Sequence, residues 1–265
     1  MVSIKEYVCP KSIEEAYELL MERKNSAIIG GCAFLRMGSK SIGKGIDLSG
    51  LGLDYINEFE DRFEIGAMAT LRQIETSEEL KGSFGSFFED SVKNIVGVQL
   101  RNIATIGATV FSRYGFSDPI TALLALDAQV ELHNGGAMSL EEFMENGPRR
   151  DILTKIIVNK NCSAASFKMI RNSMADYAII NAAVSKGEYG YRIAVGARPY
   201  AASLAKGAME KLNGANDALS AIDDSAKTAA QELSFSGNMR ASQEYRMAVC
   251  PVLVKRALME VVDNG

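Results

Sequence analysis

Two short glycine-bearing turns are the stretches of this sequence best suited to chemistry. One is Gly30-Gly31, at the end of SAIIGG. The other is Thr105-Ile106-Gly107-Ala108-Thr109, within LRNIATIGATVFSRYGFSD. Each follows an apolar run that enters a tight turn. Backbone N–H groups that converge in such a turn, with glycine permitting close approach, can cradle an anion. An ordinary tight turn without a ligand uses the same residues. Two such turns can close on one diphosphate from opposite sides. The residues therefore point to a dinucleotide held by backbone amides between two small α/β lobes. Neither GxGxxG nor GxxxxGK[ST] occurs, which argues against a Rossmann site and a P-loop.

Other reactive residue types are sparse. Ser117-Asp118 is a polar pair just before Pro119, and Asp118 reads either as a ligand-binding carboxylate or as a helix N-cap. The single histidine, His133, sits in the strand-like AQVELHN before Gly135-Gly136 and is expected to be structural. One histidine leaves little room for a His-dependent hydrolase or a His-rich metal site. Cys9, Cys32, Cys162 and Cys250 are far apart with no CxxC pair. That spacing argues against zinc or an iron–sulfur cluster held by this chain, and against a disulfide framework. Cys32 is expected to be a small packing residue, with a lowered thiol pKa as the alternative should it sit at a helix N-terminus. No nucleophile–base constellation emerges, so no catalytic residue is assigned.

Composition sets the outer bounds. The chain has 265 residues, 47% apolar and 23% charged, with 29 basic and 33 acidic residues. That is enough to bury a substantial core. No basic stripe supports nucleic-acid binding. No apolar run approaches the roughly 20 residues that cross a bilayer. MVSIKEYVCPKS lacks the apolar centre of a signal peptide, so a cytoplasmic protein is expected.

The elements that must position the two turns follow from periodicity. SIEEAYELLMER reads as a helix with Ser12 and Glu15 as a capping box. SAII reads as a buried strand, and CAFLRMG as a short helix start. LDYINEFE and RFEIGAMA read as a hairpin. Thr70 and Gln73 cap a short helix over LRQIETSEEL, and Phe84, Phe87, Phe88, Val92, Ile95 and Val96 recur at helical spacing. PITALLAL reads as a buried helix with Pro119 in its first turn. AQVELHN and ILTKIIV read as strands flanking the helix SLEEFM. Around residue 160 the texture changes to short strands and alanine-rich helices of α+β character. Pro251 falls inside the last helix, where it is expected to kink or break it.

In order, the segments SIEEAYELL, IIGGCAFL, IDLS, FEIGAMATL, QLRNIATIGATV, FSD, LLALDAQVEL, SFKMIRN, LNG and EYRMAVCPVLVKRAL make the chain similar to one family. It resembles the FAD-binding subunit of the molybdenum hydroxylases, the xanthine dehydrogenase and carbon monoxide dehydrogenase type enzymes, over nearly its whole length. The resemblance implies an α+β fold. A two-lobed FAD-binding domain of the vanillyl-alcohol-oxidase/p-cresol-methylhydroxylase type spans 1–160, with lobes of about 1–53 and 54–160. A C-terminal α+β domain follows at 161–265.

The same resemblance implies a site and a role. The first turn, Ala27, Ile28, Ile29, Gly30, Gly31, Cys32, Ala33 and Phe34, and the second, Thr105, Ile106, Gly107, Ala108 and Thr109, would hold the FAD diphosphate. Ile95 and Leu153 match apolar contacts, Asp118 an acidic residue suited to cofactor hydroxyls, and Lys168 a lysine near the flavin. Each has a plainer reading: core for Ile95 and Leu153, an exposed strand residue for Lys168. FAD would be non-covalent, with NAD or another compound as acceptor. The molybdenum cofactor and [2Fe–2S] clusters would lie in partner chains, a large molybdenum-binding and a small iron–sulfur subunit. The turns depart from the family pattern: Gly31-Cys32-Ala33 stands for GGT-Asp, and Gly107-Ala108-Thr109 for GGN. Binding survives if Ala108 has negative φ and is strained if it does not. The alternatives are an FAD-free scaffold subunit and a stand-alone flavin reductase akin to the enolpyruvyl reductases.

Overall fold

The computed structural model describes residues 1–264. The chain opens with β1 (Ser3–Val8), α1 (Ile13–Glu22), β2 (Ser26–Ile29) and β3 (Ser41–Asp47), whose strands form a parallel three-stranded sheet ordered β1-β3-β2. Ser12 accepts the Glu15 amide at 3.2 Å and starts α1, but the Glu15 carboxylate accepts from the Lys11 amide. Only half of the expected capping box forms. Ala16 and Leu20 of α1 bury against Ile46, Leu48 and Ile152. The helix expected over CAFLRMG reduces to a 3-10 turn at Leu35–Met37.

The next stretch begins with the hairpin β4 (Ile56–Glu58) and β5 (Arg62–Gly66). Six short helices follow: α2 (Leu71–Thr76), α3 (Glu78–Phe84), α4 (Phe87–Val92), α5 (Val98–Arg101), α6 (Ile106–Phe111) and α7 (Asp118–Ala125). The single helix expected over LRQIETSEEL is two, because Ser77 ends α2 and caps α3 by accepting the Leu80 amide. The Thr70–Gln73 capping box is present in full. Every residue of α7 is buried, so this helix is a core element. β6 (Gln129–Leu132), β7 (Gly136–Ser139), α8 (Leu140–Asn146) and β8 (Leu153–Asn159) complete a five-stranded antiparallel sheet ordered β4-β5-β8-β6-β7. Its apolar face and α2 to α4 enclose the largest core, around Phe63, Ile65, Phe87, Leu123 and Ile156.

Last come β9 (Cys162–Arg171), β10 (Ala178–Gly187), β11 (Gly190–Gly196) and β12 (Ser203–Leu204), an antiparallel sheet ordered β12-β11-β10-β9. α9 (Lys206–Asn213), α10 (Ala218–Glu232) and α11 (Gln243–Asn264) cover one face. The other face meets α7, where Ser185 donates to the Ala125 carbonyl at 2.6 Å. Covered on both sides, β10 is buried from Ala178 to Ser185. The helix expected to suffer at Pro251 is not broken there. Leu253, Val254, Ala257, Leu258 and Val261 bury beyond it, and that packing outweighs the lost hydrogen bond. No helix among the described residues is long and apolar enough to cross a membrane.

Candidate functional site

A cavity of about 510 Å³ lies where the two turns, the loop before β8 and the β9–β10 connection meet. From the first turn, Ala27, Ile28, Gly30, Cys32, Ala33 and Phe34 line it; Ile29 and Gly31 do not. From the second, Thr105, Gly107, Ala108 and Thr109 line it, while Ile106 is buried in the core. Ile95, Asp118 and Leu153 also line it. Lys168 does not.

The first turn is the open one. Gly31 and Cys32 both adopt left-handed backbone, at φ 67° and 56°. The amides of Gly31, Cys32, Ala33 and Phe34 donate to no acceptor among the described residues. Cys32, Ala33 and Phe34 line the cavity, and such a run of unspent N–H groups on its wall suits an anion. Gly31 is required by packing as well as by φ. A Cβ there would stand 1.5 Å from the Ile103 carbonyl oxygen. The Cys32 thiol is pushed up by burial and by nearby Asp47, so the alternative of a lowered thiol pKa is not met.

The second turn is largely spent on the protein itself. The amides of Ile106 and Gly107 each donate at 2.9 Å to the carbonyls of Ala69 and Ala67. A Cβ at Gly107 would lie 2.6 Å from both the Ala67 carbonyl oxygen and its Cβ, so the glycine permits this approach. Thr105 starts α6 and reaches the Ala108 amide at 3.4 Å, a weak bond that leaves this N–H nearly free. The two turns therefore contribute unequally: the first offers amides, and the second offers a wall fixed to residues 67–69. Ala108 lies within α6 and is not among the residues with positive φ, so the departure from glycine brings no backbone strain. Ala108→Gly is accordingly expected to keep ligand affinity within about threefold and to lower stability by about 1 kcal/mol through lost helix propensity. A ligand titration and a thermal melt check both.

The approach to the second turn is pinned from below. Arg101 is 5% exposed and grips Glu75 with Nε at 2.7 Å and Nη2 at 2.9 Å, while Nη1 donates to the Ile95 carbonyl. Burial pushes the Glu75 carboxyl up, but Arg101 and Arg72 outweigh it and hold the group below its ordinary value. Ile95 is thereby fixed at the cavity wall. Its neighbour Val96 has φ 52°, a strained conformation for a β-branched residue.

Asp118 is 3% exposed and already engaged. Its Oδ1 accepts from Asn181 Nδ2 at 2.5 Å and its Oδ2 from Arg171 Nη2. Thr121 in turn donates to Asn181 at 2.9 Å. Burial pushes the Asp118 carboxyl up, against the pull of Arg171 and the Asn181 amide. Ser117, the residue before it, is the N-cap position of α7 but makes no side-chain cap. Beside this cluster, Phe34, Tyr114, Phe116 and Tyr177 form an aromatic wall. Phe116 is 4.4 Å from Tyr177 between ring centres, and Tyr114 stacks on Phe116 at 5.1 Å. Arg240 sits over the outer face of Tyr177 at 4.7 Å.

Strand parity explains Lys168. Phe167, Met169 and Arg171 point toward the large core and the cavity, whereas Ser166 and Lys168 face α11. There both bond the Glu260 carboxylate, at 2.7 and 2.5 Å. Arg171, three residues on, lines the cavity in its place. Reading the sequence also missed Ser26, Arg149 and, of the aromatic wall, Tyr114, Phe116 and Tyr177. Only the aromatic cluster YGF at 114–116, inside the second segment, offered a visible signal for any of these.

Comparison with known proteins gives two family matches. Residues 2–160 match the FAD binding domain in molybdopterin dehydrogenase, and residues 165–261 match the CO dehydrogenase flavoprotein C-terminal domain. Uncharacterized protein YgfM of Escherichia coli (strain K12) is 27% identical over 196 residues, covering 72% of this chain and 74% of YgfM. The nicotine 6-hydroxylase medium subunit of Paenarthrobacter nicotinovorans is 25% identical, with 96% of each chain covered. Among solved structures, reconstituted CO dehydrogenase from Oligotropha carboxidovorans superposes with a TM-score of 0.89 at 22% identity, covering 99% of each chain.

Proposed function

Because this chain belongs to the family of FAD binding domains in molybdopterin dehydrogenases, we propose that it binds FAD non-covalently as the medium subunit of a molybdenum hydroxylase. In this role it passes electrons from iron–sulfur clusters of a small partner subunit to NAD or another acceptor. Substrate oxidation belongs to a large molybdenum-binding subunit. The observation that carries the reading is the row of unspent amides of Cys32, Ala33 and Phe34 on the wall of a cavity of about 510 Å³. That volume lies in the usual range for cofactor sites.

The residues present fit the cofactor. The amides of the first turn would take the diphosphate, and the Thr105–Thr109 wall would close the other side. The aromatic wall of Phe34, Tyr114, Phe116 and Tyr177 suits a flat conjugated ring. Bound FAD would supply the exchange between single electrons and electron pairs. The chain's own task is to orient that group and exclude water, which accords with the lack of a nucleophile or general base in the sequence.

The test is direct. Purified chain incubated with excess FAD and desalted should retain close to one flavin per chain by visible absorbance. Acid precipitation should then release all the colour into solution. A colourless desalted protein would support the scaffold reading. Colour in the pellet would refute non-covalent binding. Co-expression with candidate molybdenum and iron–sulfur subunits should yield one complex; a chain that stays alone and oxidises a reduced nicotinamide by itself would favour the stand-alone reductase.

A further inference from the structure

Among the described residues, four cationic side chains line the cavity: Lys40, Arg149, Arg150 and Arg171. Two of them are spent on the protein. Arg171 pairs with Asp118, and Arg150 donates to the carbonyls of Leu20, Arg23 and Lys24. Lys40 is an exposed point charge on a flexible stem, just before β3. Arg149 is exposed too, but the loop that carries it is fixed on both sides.

Before Arg149, Arg113 Nη2 donates to the carbonyls of Gly147 and Pro148 at 2.9 and 2.8 Å. After it, Arg150 grips the end of α1, and the Asp151 carboxylate accepts the amides of Asn134 and Gly135 at 3.1 and 2.9 Å. Of the three charged side chains in this loop, Arg149 alone has no hydrogen bond or ion pair among the described residues. Its place is also an unfavourable one for a cation. Burial and the Arg149 charge together hold the neighbouring Arg113 guanidinium below its ordinary value. No carboxylate on the cavity wall is open to Arg149. Asp118 serves Arg171 and Asn181, Asp176 serves Arg240, and Asp151 serves backbone amides. The fold thus sets a positive charge on the wall, beside a like charge, with no anion of its own to balance it. The unspent amides of Cys32, Ala33 and Phe34 share that wall but bring only partial charges.

We propose that Arg149 supplies the formal positive charge for the anionic part of the ligand, reaching it from the loop before β8 while the first-turn amides hold it from the amino-terminal lobe. The inference rests on the FAD reading, in which that part is the diphosphate. A guanidinium and a phosphate make charge-assisted hydrogen bonds, stronger than those a neutral amide offers.

The experiment uses the full chain with Arg149→Gln and Arg149→Lys. FAD affinity is read by fluorescence titration at low and high salt, and the ligand-free melting temperature by a thermal scan. Arg149→Gln should weaken FAD about tenfold at low salt. Arg149→Lys keeps the charge and loses only the planar fork, so its affinity should stay within about threefold of the unsubstituted chain. Raising the salt should weaken FAD binding to the unsubstituted chain, and Arg149→Gln should lose much of that dependence, because salt screens formal charges. The ligand-free melting temperature should hold in both variants, since Arg149 has no partner to lose. Unchanged FAD affinity in Arg149→Gln, an equal loss in Arg149→Lys, or an intact salt dependence in Arg149→Gln would overturn the proposal. A fall in the ligand-free melting temperature alongside the lost affinity would overturn it as well, by showing that Arg149 holds the loop. Failure of the unsubstituted chain to bind FAD would instead remove the flavin reading itself, and this inference with it.

Discussion

Gly31→Ala is expected to cost the chain both its flavin and at least about 3 kcal/mol of stability, a loss reserved for backbone-level clashes. Two effects combine. The added Cβ would stand 1.5 Å from the Ile103 carbonyl oxygen and 2.7 Å from its carbon. These are backbone atoms, so no side chain can rotate away. The residue would also keep a left-handed backbone at φ 67°. That alone costs alanine about 1 kcal/mol. Gly52→Ala is the matched control, with φ 66° and nothing within 4 Å of the added carbon. It should lose only about 1 kcal/mol and keep its flavin. Urea unfolding of both variants, with the flavin-to-protein ratio after desalting, reads the difference. Equal losses would mean that φ alone matters and that the seating of one turn on the other does not.

Asp118→Ala should be the second severe change. It leaves the Arg171 guanidinium, only 9% exposed, without its carboxylate. Breaking a buried pair from one side costs about 3–5 kcal/mol. Asn181 loses its acceptor in the same step, though Thr121 still donates to it. The double variant Asp118→Leu with Arg171→Met should recover much of that loss, since an apolar pair has no stranded charge. Denaturant midpoints of the two variants test this. A double variant as unstable as Asp118→Ala would show that the carbonyls of Asn94 and Asp176, which Arg171 also serves, depend on the guanidinium.

How far the sequence could be read depended on the distance over which each feature is decided. Local signals served well. The Thr70–Gln73 box and the Pro119 start of α7 are set by residues within one helical turn, and the strands around Val130 and Ile156 by the alternation of near neighbours. Ser77 was less legible, because a serine inside a helical pattern becomes a break only when its hydroxyl takes the Leu80 amide. Pro251 misled in the other direction, since burial beyond it overrides its local cost. At the site, chain order brought the two turns, Ile95, Asp118 and Leu153 to one cavity. What stayed hidden is which groups remain free. Amides of the second turn are consumed by Ala67 and Ala69, some forty residues earlier in the chain. Asp118 is consumed by Arg171 and Asn181, more than fifty residues later. Lys168 fell to strand parity, which a motif does not carry: one position along β9 turns a side chain from the cavity to α11.

The place of β8 sets a timetable for synthesis. It is the central strand of the five-stranded sheet, paired with β5 on one side and β6 on the other, yet it is the last of the five to be made. The segment just before it also secures the amino-terminal lobe, where Arg150 donates to the carbonyls of Leu20, Arg23 and Lys24 at the end of α1. A nascent chain that has not yet released residues 150–159 therefore holds two hairpins with bare inner edges and an unsealed first lobe. Such edges invite pairing with other chains. The half-made protein is thus the stage at which a ribosome-bound chaperone would have most to protect, and a pause in translation before β8 would be more damaging than one after it.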